Sequence, residues 1–131
     1  MQQASTTSRT PDPTDEALQA AVAAARAADD KKAIDVVVLD VADTIGVVDY
    51  FVIASASNDR QVRTIVDTIE ERLSDRTLVG REGVEESRWA LLDYGDVVVH
   101  VFLDDVRRFY DLERLWADAP RVTWAETSES G

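Results

Sequence analysis

The chain of 131 residues contains no cysteine and a single histidine, His100. Disulfides, thiolate nucleophiles, cysteine-rich zinc sites and multi-histidine metal sites are therefore excluded together. The sequence also lacks a Gly-x-Gly-x-x-Gly motif, a P-loop and a Gly-x-Ser-x-Gly nucleophile elbow. We accordingly expect no catalytic residue, no cofactor and no bound metal.

Long apolar segments are absent as well. No apolar run approaches the roughly 20 residues that a membrane-spanning helix needs. Residues 1–13 show neither the apolar stretch of a secretory signal nor the Arg-rich amphipathic pattern of an organellar one. We expect a soluble, cytoplasmic protein without membrane contact.

Basic residues are few, with 14 Lys and Arg against 26 Asp and Glu, which gives a net charge of −12 at pH 7. Affinity for nucleic acid comes largely from basic side chains that displace counterions from phosphates. The charge therefore argues against direct, sequence-specific nucleic-acid binding and favours basic partners.

The composition along the chain predicts one folded domain over residues 14–122 between two mobile tails. The tails, residues 1–13 and 123–131, are rich in polar residues and have few side chains to bury. No repeat or flexible linker divides the region between them.

The hydrophobic pattern predicts helices packed on a small mixed β-sheet, an α/β (α+β) fold. Helices are expected from Thr14, from Ser57 to Leu73, and after the capping residues Asp104 and Asp105. Strands are expected at 34–41, 50–56 and 77–79, and at 89–94 and 97–103 as a hairpin around Gly95-Asp96, with a loop at 43–49. In the last helix we expect Val106, Phe109, Tyr110, Leu115 and Trp116 to face the sheet.

Two candidate chemistries remain among the polar residues. His100 would be a general base near Ser55 or Ser57, but its place inside an apolar strand favours a hydrogen-bonded structural role. Asp40, Asp43 and Asp104 would hold magnesium in a nucleotidyltransferase or phosphohydrolase. The chain has no Gly-Ser turn and no Asp-x-Asp motif, so acids that cap turns at strand ends are the favoured interpretation.

Trp89 begins a strand, and Leu91, two residues further on, lies on the same face. The pair belongs either to the core or to an exposed apolar strip. If the strip is exposed, surrounding acids make it a docking site for a basic protein. Those acids are Glu82, Glu85, Glu86, Asp93 and Asp96.

Four blocks of the sequence resemble the ribosomal silencing factor, or Iojap, family. They are residues 49–60 (DYFVIASASNDR), Glu82-Gly83, residues 89–102 (WALLDYGDVVVHVF) and residues 108–116 (RFYDLERLW). The blocks keep the order and separations typical of that family, and the resemblance extends from about Leu18 to Val122.

This resemblance implies a nucleotidyltransferase-like fold without the catalytic acids, and a function in translation. A member of the family binds the large ribosomal subunit through a basic ribosomal protein at the subunit interface. It keeps the small subunit from joining, so translation falls when nutrients are short. The resemblance is also compatible with a homodimer of the free factor.

The same family pattern assigns part of the docking surface to the strand that begins at Trp89 and the turn after it. The residues carried over are Trp89, Leu91, Asp93, Tyr94 and Asp96. Two alternatives stay open at this point: the metal-dependent enzyme described above, and a dimeric scaffold unconnected with ribosomes.

Overall fold

The computed structural model describes residues 15–111, 114 and 117–125. Within these residues, helices and strands alternate up to the third helix, three strands follow, and a last helix and a last strand end the order. The helices are α1 (Glu16–Asp30), α2 (Ala42–Ile45), α3 (Asp59–Arg72) and α4 (Asp104–Tyr110). The strands are β1 (Ile34–Asp40), β2 (Tyr50–Ala56), β3 (Gly80–Glu82), β4 (Trp89–Asp93), β5 (Val97–Leu103) and β6 (Arg121–Val122).

The strands form one mixed sheet in the order β3-β4-β5-β2-β1-β6. The central strands β2 and β5 are parallel, and their neighbours pair with them antiparallel. A parallel pair needs a crossover connection, and α3 lies within it, whereas β4 and β5 are joined by the expected tight hairpin. The predicted fold class is confirmed.

Helices α1 and α3 cover one face of the sheet. The Asp15 carboxylate accepts a hydrogen bond from the Ala17 N–H (2.9 Å), and the Asn58 amide oxygen accepts one from Gln61 (2.8 Å), so both helices begin at a capping side chain. The buried residues of α1 are alanines, whose small side chains let this helix lie close to α3 and the sheet. Leu18 is only half-buried.

The opposite face of the sheet is covered by α4 and by Ala119. Val106 and Ala119 are buried there against Phe51, Ile53 and Phe102. The guanidinium of Arg107, which is 4% exposed, donates to the Ser55 hydroxyl (2.8 Å) and to the Asp35 carbonyl (2.7 Å). Strands β2 and β5 are therefore buried on both faces, as their continuous apolar runs predict.

Several short elements differ from the predictions. The expected loop at 43–49 contains the single turn α2, β4 ends at Asp93 rather than Tyr94, and β6 was not predicted. The strand expected at 77–79 lies at Gly80–Glu82, where it pairs with β4; Val79 only begins this pairing by donating to the Asp93 carbonyl (2.7 Å).

The prediction that Phe109 faces the sheet is wrong, because Phe109 is 79% exposed. Arg107 occupies a position of α4 that faces the sheet, and Phe109 lies two residues, or about 200°, further round the helix. The predicted contacts of the Tyr110 side chain, Leu115 and Trp116 lie outside the described residues.

Past the expected boundary at residue 122, the Trp124 indole donates to the Val36 carbonyl (3.1 Å) and packs against the core under the helices. None of the described helices is long and apolar enough to cross a membrane.

Candidate functional site: the open face of strand β4

Strand β4 has one face in the core and one face towards solvent. Ala90 and Leu92 are buried under the helices, whereas Trp89, Leu91 and Asp93 alternate with them and point to the other side. On β3, Glu82 is opposite Leu91 in the register and therefore lies on that side too. We call Trp89, Leu91, Asp93 and Glu82 the open face.

Trp89 is packed on one side and exposed on the other. Its ring lies 4.8 Å from the ring of Phe102, its partner in the register, at an interplanar angle of 33°. Its indole N–H donates to Nδ1 of His100 at 3.2 Å, and 37% of the residue remains exposed. The two interpretations left open by the sequence, core residue and exposed anchor, thus each hold in part.

His100 lies behind the open face and is 8% exposed. Its ring meets Phe51 edge to face, with 4.9 Å between centroids, and stacks beside Phe102. Burial lowers the pKa of His100 from 6.5 to about 4, so the imidazole is neutral at pH 7. Because Nδ1 accepts from Trp89, the proton resides on Nε2. The hydrogen bond expected of a histidine inside this apolar strand is present.

Two acids, Glu82 and Asp93, belong to the open face, and two more, Glu85 and Glu86, precede Trp89 in the sequence. Glu82, Glu85 and Glu86 are exposed, and Asp93 is half-buried. The Asp93 carboxylate also accepts the Gly95 N–H at 2.8 Å, which fixes the hairpin turn. The open face therefore presents an indole and a leucine beside two carboxylates.

Tyr94 and Asp96, the other two predicted site residues, are not brought to the open face. Tyr94 is 7% exposed in the core under the helices, where burial, followed by the nearby Glu70, raises its pKa. Asp96 accepts two hydrogen bonds from Arg76, both 2.9 Å long, and this pairing raises the pKa of the guanidinium. Their predicted part in docking has no direct geometric support.

Two carboxylates of the magnesium hypothesis, Asp40 and Asp104, lie at opposite ends of the central strands. Asp40 pairs with Tyr50 at the start of β2, whereas Asp104 follows the far end of β5. The seven residues of β5 place these two ends about 20 Å apart. Among the described residues no group of three potential metal ligands forms. Asp40 instead accepts the Ala42 N–H at the start of α2 (3.1 Å), and Asp104 pairs with Arg108.

Two contributors to the site were not singled out for it from the sequence. Phe102 is the platform under Trp89, and Gly83 lets the chain pass against the Trp89 carbonyl, because a Cβ at this glycine would lie 2.2 Å from that oxygen. The contact between Trp89 and Phe102 could have been predicted from the sequence. Counting outwards from the two-residue turn at Gly95-Asp96 pairs Trp89 with Phe102 and Leu91 with His100.

The chain is similar to known proteins over most of its length. Residues 14–130 match the family described as "Ribosomal silencing factor during starvation". The ribosomal silencing factor RsfS of Bacillus subtilis is 46% identical over 99 residues, covering 74% of this chain and 84% of that protein. The chloroplastic protein Iojap of Zea mays is 37% identical over 123 residues, covering 86% of this chain and 52% of that protein.

Solved structures agree with these sequence similarities. A crystal structure from Chromobacterium violaceum has a TM-score of 0.75 at 34% identity, covering 79% of this chain and 88% of that one. Another, from Bacillus halodurans, has a TM-score of 0.69 at 40% identity, covering 82% and 97%. The chain belongs to the ribosomal silencing factor family, as the resemblance of its sequence blocks predicted.

Proposed function

We propose that this protein represses translation when nutrients are short by binding the large ribosomal subunit and blocking the small subunit. It docks through the open face onto a basic ribosomal protein at the subunit interface. Family membership supports the ribosomal target. The observation that carries the docking site is the half-exposed Trp89 ring beside Leu91 and exposed acids.

The chemistry of the open face favours a protein partner over ribosomal RNA. Glu82 and Asp93 would repel phosphates, whereas they attract the Lys and Arg side chains of a basic protein. Trp is among the residues that contribute most to binding at protein interfaces, when it fills a desolvated pocket on the partner.

Blocking of the small subunit is mainly steric in this mechanism. Repulsion between surface carboxylates and the phosphates of the approaching subunit decays over a Debye length of roughly 8 Å at physiological salt. A folded domain on the interface prevents the approach at longer range simply by its volume.

Trp89→Ala tests the docking site. We expect it to weaken binding to purified large subunits by about 30-fold, on the order of 2 kcal/mol, and to lose inhibition of subunit joining. Because the ring also packs on Phe102, the free energy of unfolding should fall by roughly 2 kcal/mol, less than for a fully buried Trp. Co-sedimentation and a joining assay, run well below the melting temperature, measure both effects on the folded protein.

Two further variants complete the experiment. Val79→Ala truncates an apolar residue that is 66% exposed in a groove with Glu16 and Tyr94 on the helical side, and it should bind normally. Leu91→Lys puts a cation on the open face and should abolish binding without leaving a cavity. If Trp89→Ala and Leu91→Lys both bind like the unmodified protein, the docking site is wrong. If the unmodified protein does not sediment with large subunits, the proposed function is wrong.

A further inference from the structure

His100 is a buried polar residue directly behind the open face, and the docking mechanism above does not use it. The ring is held between Phe51 and Phe102, whose centroids lie 4.9 and 6.0 Å away. Its position on β5, opposite Leu91, is fixed by the sheet register. The imidazole is therefore a rigid group at the base of the open face.

This imidazole is an unfavourable side chain for packing alone. Nδ1 accepts the Trp89 indole N–H, so Nε2 carries the proton, and Nε2 is buried with no hydrogen-bond partner among the described residues. A buried donor without a partner destabilises the folded state, whereas a phenyl ring of similar shape would avoid that cost. An unsatisfied group of this kind calls for another explanation.

The hydrogen bond to Trp89 explains why a histidine occupies this position. A Trp side chain has two rotatable torsions, and ring stacking is only weakly directional, so it does not by itself select one orientation of the indole. The bond at 3.2 Å adds a directional contact that selects one orientation of the ring. An anchor that is already oriented loses less conformational entropy on binding than one that must be ordered by the partner.

We infer that His100 is a positioning residue, which fixes the exposed Trp89 indole in its docking orientation through Nδ1. The inference rests on the proposed function, because it takes Trp89 to be the docking anchor. It adds that the acceptor atom at position 100, rather than the ring that carries it, determines how well the anchor binds.

Two substitutions separate the acceptor from the ring. His100→Phe keeps an aromatic ring between Phe51 and Phe102 but removes the acceptor. His100→Asn removes the ring but places an amide oxygen, bonded to Cγ, where Nδ1 was. A purely structural role predicts that His100→Phe is the milder change in every measurement, whereas a positioning role predicts opposite orders for folding and for binding.

We expect His100→Phe to melt at or above the temperature of the unmodified protein and to bind large subunits about threefold to tenfold more weakly, the range that corresponds to one net hydrogen bond. His100→Asn should melt at a lower temperature and yet bind more tightly than His100→Phe. In ¹⁵N–¹H spectra, the Trp89 indole resonance, assigned with Trp89→Phe, should move upfield and exchange faster with water in His100→Phe only.

The outcomes distinguish this inference from the docking proposal. If Trp89→Ala weakens binding but His100→Phe binds with unchanged affinity, His100 does not position the anchor and docking through Trp89 stands. An unmoved indole resonance in His100→Phe overturns the inference independently of any ribosome measurement. If Trp89→Ala itself binds normally, Trp89 is not the anchor and the inference falls, while Leu91→Lys still decides whether the open face is the docking site.

Discussion

His100 binds protons differently in the folded and the unfolded chain, which makes stability depend on pH. Its pKa is about 4 in the folded protein and returns to the ordinary histidine value of 6.5 when unfolding exposes the ring to water. Between these values the unfolded chain takes up a proton that the folded chain does not. As far as His100 is concerned, the free energy of unfolding is therefore highest above pH 6.5 and decreases as the pH falls towards 4.

The expected loss is roughly 3 kcal/mol in the free energy of unfolding between pH 7 and pH 4. Denaturant unfolding at a series of pH values measures it. Carboxylates also titrate in this range, so the His100→Phe variant serves as the reference. The free energy of unfolding should fall more steeply with decreasing pH in the unmodified protein than in this variant. A difference that stays constant from pH 7 to pH 4 would contradict the assignment of a buried, neutral His100.

Simple alternation along β4 accounts for the predicted site residues that share the open face. Trp89, Leu91 and Asp93 differ by two positions and share a face, whereas Tyr94 follows Asp93 directly and enters the core instead. The partner of Asp96 was not predictable in the same way. Arg76 lies twenty positions away along the chain, after α3, and only the folded path of that segment brings it to the hairpin turn.

Among the connections between elements, the passage from β3 to β4 depends on Gly83. This glycine has φ of +76°, and a Cβ there would lie 2.2 Å from the Trp89 carbonyl oxygen. Gly83→Ala should therefore lower the free energy of unfolding by about 2–4 kcal/mol, combining an unfavourable φ with backbone overlap.

Gly80 provides a matched control within β3. Nothing lies within 4 Å of a Cβ at this position, and its φ is not in the left-handed region. Gly80→Ala should change the free energy of unfolding by no more than about 0.5 kcal/mol. Equal losses for the two variants in denaturant unfolding would show that the close approach at Gly83 does not constrain the connection.

Elements with their own periodic signal were predictable, and elements defined by their partners were not. The apolar runs of β2 and β5 and the helical spacing of α3 identify these elements without reference to the rest of the chain. By contrast, β6 has two residues that pair with β1, and β3 has three that pair with β4. Such short segments become strands because a neighbouring edge offers hydrogen bonds, which local sequence does not encode.

For the whole molecule, the effect of the net charge of −12 on a partner depends on where the acidic residues lie relative to the open face. Charge alone argued against nucleic acid and for basic partners. The fold adds that Glu82 stands beside Leu91 on the open face, whereas Glu71 is exposed on α3, across the sheet. A basic partner that docks on the open face is therefore steered mainly by Glu82.

Glu82→Lys and Glu71→Lys change the net charge of the protein by the same amount at these two positions. We expect Glu82→Lys to slow association with large subunits by about tenfold at low salt, because local charges steer the encounter, and Glu71→Lys to slow it only slightly. Near 0.5 M salt, where the Debye length is under about 5 Å, most of the difference should vanish. Association rates measured across a salt series test this expectation. Equal slowing by both variants would show that only the net charge matters, and a difference that persists at high salt would indicate a direct contact of Glu82 instead of steering.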